Sequence, residues 1–173
     1  FKVENPATGE TIAELPDLNA EQLAEMAVRA RAVQPAWQAL GFEGRGRVLR
    51  RMQKWIIDHQ DEVIAVIRSE SGKTYEDALI AEISYGAAAF GFWADHAAIY
   101  LAEETVKSSG ALVKGKKLKV RFKPLGLIGV IGPWNYPLTN SFGDCIPALA
   151  AGNSVILKPS EITPLTSLKL LEG

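Results

Sequence analysis

The chain has 173 residues, of which 47% are hydrophobic and 23% charged, and its formal net charge is −1, as in ordinary soluble globular proteins of one or two domains. This near-neutral balance creates no long-range field toward nucleic acid or an anionic membrane, and no stretch approaches the ~20 uninterrupted apolar residues of a membrane span, so we predict neither partner. The single cysteine, Cys145, excludes an internal disulfide framework and a multi-cysteine zinc site, and a start without a secretory signal predicts a cytoplasmic location.

The first half of the sequence predicts a hairpin followed by helices. Turn residues over Asn5–Gly9 lie between short alternating stretches. Asn19, followed three residues later by Gln22, has the pattern of a capping box and begins a first helix, which Pro35 should disturb. Helical spacing of apolar residues then predicts a second, a third and a fourth helix, and Gly72 ends the third. The fourth carries its apolar stripe at Leu79, Ile80, Ile83, Ala87, Phe90, Ala94 and Ala97.

The second half changes to the period of a strand. Apolar and basic residues alternate over 117–123, which predicts an amphipathic strand or hairpin. The runs "LIGVI" and "SVILK" are typical of strands covered on both faces, and "TNSFGDCIPALAAGN" between them predicts a helix despite Pro147. Together they span Leu127–Lys158, the length of a parallel βαβ unit, so the fold class is α/β. A last helix should begin with Thr163 as its cap and Pro164 at its first position.

Two polar stretches follow the predicted parallel strands. Ligands of open α/β sheets bind beyond the carboxyl ends of the strands, where "PWNYP" and "KPSE" lie. Asn135 stands between Pro133 and Pro137, and its uncharged amide could stabilise oxygen charge that develops in a reaction. The alternative is that Asn135 only satisfies a tight turn.

Lys158 and Glu161 leave the second strand three residues apart. A cation and a carboxylate at this edge can bind the hydroxyls of a ribose, or they can form an ordinary surface ion pair. The nearby Gly126, Gly129 and Gly132 have the spacing G-x-x-G-x-x-G, which is not the dinucleotide-binding fingerprint G-x-G-x-x-G. Glycine spacing therefore does not predict a dinucleotide site here.

Cys145 and a basic run favour structural interpretations over chemical ones. Cys145 shares its helical face with apolar residues and has no histidine near it in sequence, so we predict a core cysteine rather than a nucleophile. The basic run favours a solvated strand face or a protected strand edge over a phosphate site. It consists of Lys114, Lys116, Lys117, Lys119, Arg121 and Lys123.

The stretches "PLGLIGVIGPWNYPL" and "IPALAAGNSVILKPSE" resemble the aldehyde dehydrogenase superfamily, in particular its NAD(P)-dependent, non-acylating branch. The resemblance implies the N-terminal part of that fold, which is a helical region plus the start of a Rossmann-like parallel sheet, with an oligomerisation hairpin. It places residues 1–103 and 124–173 in the NAD-binding domain and residues 104–123 in the oligomerisation segment. The catalytic domain would be absent, and the basic run would be an intersubunit sheet edge.

The resemblance also implies roles for single residues. Asn135 matches the asparagine whose amide forms half of the oxyanion hole. Ile131, Pro133 and Trp134 match positions along the nicotinamide end of the cofactor cleft, and Tyr136 matches an aromatic residue that lines the aldehyde tunnel. Asn135 is thus the candidate catalytic residue.

Lys158 and Glu161 match the pair that binds the adenosine ribose. A carboxylate near the 2′-hydroxyl repels a 2′-phosphate, so NAD is the predicted cofactor, and Lys158 leaves some tolerance for NADP.

The implied reaction is oxidation of an aldehyde to a carboxylic acid with NAD as hydride acceptor, through a cysteine thiohemiacetal and a thioester. The family's Gly-Gln-x-Cys and Glu-Leu-Gly-Gly type motifs do not occur in these 173 residues, and Cys145 does not match the nucleophile. We therefore expect the chain to be part of a longer enzyme that is a homodimer or homotetramer. The alternatives are a non-catalytic nucleotide-binding or assembly module and a CoA-acylating relative.

Overall fold

A computed structural model describes residues 1–107, 110, 113 and 115–173. A hairpin is followed by a helical region, a second hairpin and a βαβ unit, which confirms the α/β class. The strands are β1 (Lys2–Glu4), β2 (Thr11–Glu14), β3 (Glu104–Val106), β4 (Leu118–Val120), β5 (Leu127–Ile131) and β6 (Ser154–Lys158). The α-helices are α1 (Ala20–Ala39), α2 (Gly41–Asp58), α3 (Gln60–Ser71), α4 (Tyr75–Asp77), α5 (Tyr85–Tyr100), α6 (Gly143–Ala150) and α7 (Leu165–Leu170). Two segments, Ala78–Ser84 and Pro137–Phe142, are π-helical.

The predicted start of α1 is confirmed, but the prediction that Pro35 disturbs the helix is wrong. The side chains of Asn19 and Gln22 each accept a hydrogen bond of 2.9 Å from the other's backbone N–H. The helix then continues through Pro35 to its end. Gln34 donates to the Gly152 carbonyl at 2.8 Å and the Trp37 indole to the Leu149 carbonyl at 2.9 Å. These two tertiary bonds hold the turn on either side of the proline, which offsets the helical bond that a proline removes.

The core lies between α2, α3, α5, α6 and the π-helical segments. Its fully buried side chains include Ile56, Ile64, Ile67, Phe90, Leu138 and Ile146. The third helix ends as predicted, because Gly72 has a φ of 73° and its N–H donates to the Arg68 carbonyl.

The predicted fourth helix is not continuous. It is divided into α4, the π-helical segment Ala78–Ser84 and α5, and Ile80 of the predicted apolar stripe is 69% exposed. A π-helical turn holds more residues than an α-helical turn, so it shifts the phase of the side chains and an α-helical spacing rule misplaces some of them. This shift lets a carboxylate, Glu82, enter the core beside Ile83.

The second hairpin pairs β3 with β4 in antiparallel register, with Glu104 opposite Val120. The predicted strand over 117–123 is confirmed for its central residues only. Lys119 and Arg121 both form ion pairs with Glu103, whereas Lys114 lies outside the described residues. Among the described strands, this hairpin pairs only with itself.

The predicted parallel βαβ unit is confirmed. Strands β5 and β6 are paired from Leu127 opposite Ser154 to Ile131 opposite Lys158, so their carboxyl ends lie side by side. The connection begins with the π-helical segment Pro137–Phe142 and continues as α6, with Pro147 inside the helix. Both strands are only partly buried among the described residues, although a strand covered on both faces was expected.

Helix α7 begins differently from the prediction. It starts at Leu165, and the Thr163 hydroxyl donates to the Trp134 carbonyl instead of capping the helix. The cap comes from Glu70 of α3, whose carboxylate accepts the N–H groups of Leu165 at 2.6 Å and Thr166 at 2.8 Å. Burial raises the pKa of Glu70, and the hydrogen bonds from Thr166 and Leu165 act in the opposite direction.

We expect Glu70→Ala to lower the free energy of unfolding by roughly 2 kcal/mol or more, because it leaves two backbone N–H groups near α7 without their acceptor. Urea unfolding measures this change. Glu62→Ala is the matched control, since Glu62 also joins α3 to α7, through Lys169 at 2.8 Å, but is 59% exposed. A Glu70 variant no less stable than the Glu62 variant would contradict this account of the cap.

Candidate active site

The loop after β5 leaves the strand under tight packing. The N–H of Gly132 donates to the Lys158 carbonyl at 2.9 Å, which extends the pairing of the two strands by one bond. A methyl group at Gly132 would lie 1.7 Å from Oγ of Ser141, whose side chain is fully buried. Only glycine therefore fits at the point where the chain turns out of the sheet.

The residues just before Asn135 are held by hydrogen bonds from other segments. The Ser141 hydroxyl donates to the Pro133 carbonyl at 3.5 Å, and the Thr163 hydroxyl donates to the Trp134 carbonyl at 3.0 Å. Asn135 itself is exposed, and within the described part of the chain its side-chain amide makes no hydrogen bond. The amide thus does not satisfy the backbone of its own turn, and its donors and acceptor remain available.

A buried ion pair holds the residues just after Asn135. Lys73 Nζ lies 2.6 Å from Glu82 Oε1 and 3.6 Å from the centre of the Tyr136 ring. Glu82 Oε2 accepts the N–H groups of Leu138 at 3.0 Å and Thr139 at 2.9 Å. The Glu82 side chain is completely buried.

Lys73 and Glu82 are not among the residues that the sequence pattern predicts for the site. The only local signal was an acidic residue inside the apolar stripe, between Leu79 and Ile83. Their partners are far away in sequence, since Glu82 and Leu138 are 56 residues apart. No local pattern indicates such a contact.

Lys158 and Glu161 form an exposed pair at the end of β6. Lys158 Nζ lies 3.4 Å from Glu161 Oε2, and the two side chains are 63% and 69% exposed. The backbone N–H of Glu161 itself, and then Lys158, hold the pKa of this carboxyl below its usual value. The group is therefore ionised at neutral pH and can accept hydrogen bonds from hydroxyls. Since an exposed ion pair contributes little stability, the geometry is compatible with both interpretations of the pair.

Apolar side chains stand at the surface of the same edge. Ile131, the register partner of Lys158, is 81% exposed, Trp134 is 55% exposed, and Pro133 is also exposed. Apolar groups that gather at a polar edge mark a surface that binds a ligand or another part of a protein. The structure thus brings Ile131, Pro133 and Trp134 to the edge that Lys158 occupies.

Cys145 is a core residue, as predicted. Its side chain is buried, its Sγ lies 3.7 Å from the Ser141 carbonyl, and burial raises the pKa of the thiol to about 12. The thiolate, which is the nucleophilic form, is therefore scarce at neutral pH.

The described residues include neither a membrane-spanning helix nor a cluster of metal-ligand side chains. None of their helices combines the length and apolarity needed to cross a bilayer. They also contain no group of three or more histidine, cysteine, aspartate or glutamate side chains placed to hold a metal ion.

A family model described as the aldehyde dehydrogenase family matches residues 1–173. The chain belongs to this family. The match covers the helical region, both hairpins and the βαβ unit, so the predicted family is confirmed over the whole sequence.

Curated aldehyde dehydrogenases resemble the chain at moderate identity. It is 34% identical over 172 residues to the mitochondrial succinate-semialdehyde dehydrogenase of Oryza sativa subsp. japonica, covering 97% of this chain and 31% of that protein. It is 36% identical over 168 residues to a probable succinate-semialdehyde dehydrogenase [NADP(+)] of Sinorhizobium fredii (strain NBRC 101917 / NGR234), covering 96% and 33%. The chain therefore spans about a third of the length of these relatives.

Solved structures share the fold. An NADP-dependent enzyme of E. coli matches with a TM-score of 0.91 and 32% identity, covering 99% of this chain and 34% of that one. A betaine aldehyde dehydrogenase of Staphylococcus aureus, in complex with NAD+, matches with a TM-score of 0.90 and 28% identity. This match also covers 99% of this chain and 34% of that one. The predicted N-terminal part of the aldehyde dehydrogenase fold is confirmed.

We expect Gly132→Ala to destabilise the protein by on the order of 2 kcal/mol, because the added methyl group overlaps the Ser141 side chain. Thermal unfolding measures the effect. Gly129→Ala in the same strand is the control, since a methyl group there meets nothing within 4 Å. The double variant Gly132→Ala, Ser141→Gly should recover part of the loss. Equal melting temperatures for the two single variants would contradict the proposed overlap.

Proposed function

We propose that the enzyme containing this chain oxidises an aldehyde to a carboxylic acid with NAD(P) as hydride acceptor, and that Asn135 supplies one donor of its oxyanion hole. The observation that carries the proposal is an unbonded amide at the carboxyl end of a parallel strand, with its flanking backbone bound on both sides. A donor carried on a fixed backbone needs less reorganisation to stabilise developing charge during the reaction. Membership of the aldehyde dehydrogenase family supports the same chemistry.

The nucleophile would come from outside these residues. Cys145 is buried with a raised pKa, so it does not qualify. We assign the thiohemiacetal and thioester steps to a cysteine, and the activation of water to a glutamate, in the remainder of the enzyme. What this chain would contribute is the oxyanion donor, an aromatic wall at Tyr136 and one side of the cofactor cleft.

The cofactor would lie along the edge formed by β5 and β6. When bound, NAD(P) supplies the acceptor for the hydride removed from the substrate. The side chains at this edge fit its parts: Glu161 and Lys158 offer an acceptor and a donor for ribose hydroxyls, and Ile131, Pro133 and Trp134 offer apolar surface. NAD should be preferred, because the ionised Glu161 carboxylate repels a 2′-phosphate.

The second hairpin suits an intersubunit contact. Val106, Val120 and Phe122 are between 43% and 49% exposed, and β3 and β4 have no other partner among the described strands. We propose that residues 104–123 join a neighbouring subunit in a homodimer or homotetramer, and that residues 1–103 and 124–173 belong to the NAD-binding domain. The cytoplasmic location also stays a prediction, since the rice relative is named as mitochondrial.

We expect Asn135→Ala in the complete enzyme to lower turnover by ~10² to 10³, with little change in NAD affinity, because the amide acts on charge that exists only in the transition state. Formation of NADH measures turnover. Succinate semialdehyde is the first substrate to test, since two relatives are named for it. Asn140→Ala is the control, because Asn140 is an exposed asparagine close by in the chain.

Unchanged turnover in Asn135→Ala would remove the proposed role. The product identifies the branch of the family: a free acid fits the proposal, whereas an acyl thioester formed only with CoA indicates the acylating alternative.

We expect Glu161→Gln to shift the ratio of kcat/KM for NADP over NAD upward by on the order of tenfold, because it removes a negative charge from the site proposed for the 2′ position. Lys158→Met, which removes the cation 3.4 Å away, should shift the ratio in the opposite direction. Steady-state kinetics with both cofactors check the pair. Two variants with the ratio of the unmodified enzyme would show that the pair is only a surface ion pair.

A further inference from the structure

The buried pair Lys73–Glu82 is placed to act on the reaction through the loop that carries Asn135. We propose that Glu82 and Lys73 are positioning residues that hold the C-terminal side of this loop, and so set the direction of the Asn135 amide. The inference rests on the proposed oxyanion role of Asn135.

Glu82 is bonded on both of its oxygens. Oε1 accepts a hydrogen bond from the Lys73 ammonium, and Oε2 accepts hydrogen bonds from the N–H groups of Leu138 and Thr139. Pro137 opens the π-helical segment and has no N–H, so Glu82 binds the first two N–H groups that this segment offers. The backbone three and four residues after Asn135 is thereby fixed to the helical region.

The burial of Glu82 shows that its geometry is closely specified. A carboxylate that is completely removed from water is tolerated only where a cation and hydrogen-bond donors surround it. A shift of the loop would break two bonds to a group that has no water to replace them. The Thr139 hydroxyl adds a further link, since it donates to the Ala81 carbonyl next to Glu82 at 2.6 Å.

Lys73 extends the same network to Tyr136, the residue that follows Asn135. Its ammonium lies 3.6 Å from the centre of the Tyr136 ring, within cation–π range, and is 3.7 Å from Asp77 Oδ2. The Lys73 side chain is only 11% exposed, so the interaction is largely shielded from water. One ammonium therefore fixes both the carboxylate that holds the backbone and the ring beside the amide.

The N-terminal side of the loop has one independent anchor, because the Thr163 hydroxyl donates to the Trp134 carbonyl, and a second bond runs from Ser141 of the π-helical segment itself to the Pro133 carbonyl. Loss of Glu82 or Lys73 should therefore tilt the loop rather than release it. A small misplacement of a group that contacts the reacting atoms costs on the order of tenfold to hundredfold in rate. Cofactor affinity should change less than kcat, because Lys158 and Glu161 follow a different strand and the carbonyls of Pro133 and Trp134 keep their own hydrogen bonds.

The test compares Glu82→Gln, Lys73→Met and Lys73→Arg in the complete enzyme, with kcat, KM, NAD affinity and melting temperature measured for each. We expect Glu82→Gln and Lys73→Met to lower kcat by about tenfold to hundredfold, with a much smaller change in NAD affinity. Lys73→Arg should retain most of the turnover, because a guanidinium keeps both the ion pair and the contact with the ring. Lys54→Met is the control, since Lys54 pairs with Asp58 at 2.6 Å but is 75% exposed.

A double variant separates positioning from general support of the fold. If Glu82 acts through the amide, adding Glu82→Gln to Asn135→Ala should lower kcat little further. The inference is overturned if the two effects multiply, or if Glu82→Gln lowers the melting temperature and leaves kcat unchanged. If Asn135→Ala leaves kcat unchanged, the proposed function itself fails. If Asn135→Ala lowers kcat but Glu82→Gln does not, only the positioning role of Glu82 fails.

Discussion

Backbone N–H groups at the start of a helix have no partner inside that helix, and this chain supplies the partner twice from a buried glutamate of its helical region. Glu82 accepts N–H groups of the segment Pro137–Phe142, and Glu70 accepts those of α7. Each segment follows one strand of the parallel sheet. Because a buried carboxylate is costly without its donors, these bonds permit one arrangement of the helical region against the sheet.

The opposite end of the connecting helix is held by donors from the same region. Arg45, Trp37 and Gln34 donate to the carbonyls of Ala150, Leu149 and Gly152 at the end of α6. A cation near the C-terminus of a helix also complements its dipole. The connection from β5 to β6 is therefore bonded to a carboxylate oxygen near its start and to N–H donors near its end. All of these groups come from helices that precede the sheet in the chain.

This arrangement fixes the backbone that carries an exposed asparagine. The Asn135 side chain makes no hydrogen bond within the described part of the chain, so the surrounding structure positions it only through that backbone. That backbone is bonded through Pro133, Trp134 and the two residues that follow Pro137. An amide that stabilises developing charge has to be aligned before the reaction, and the hydrogen bonds of its neighbours contribute to this by fixing its backbone without occupying the amide itself.

The amino-acid sequence by itself determined those features that a local pattern or a family motif specifies. The Asn19 and Gln22 cap, the βαβ unit and the position of Asn135 at a strand end all follow from spacings of a few residues or from motifs that resemble one family. The tertiary structure alone decided where Glu70 and Glu82 act, where α7 begins and where the fourth predicted helix is interrupted. The bonds of Glu82 and Glu70 join groups 56 to 96 residues apart, and a local pattern contains no information about a partner that only folding brings near.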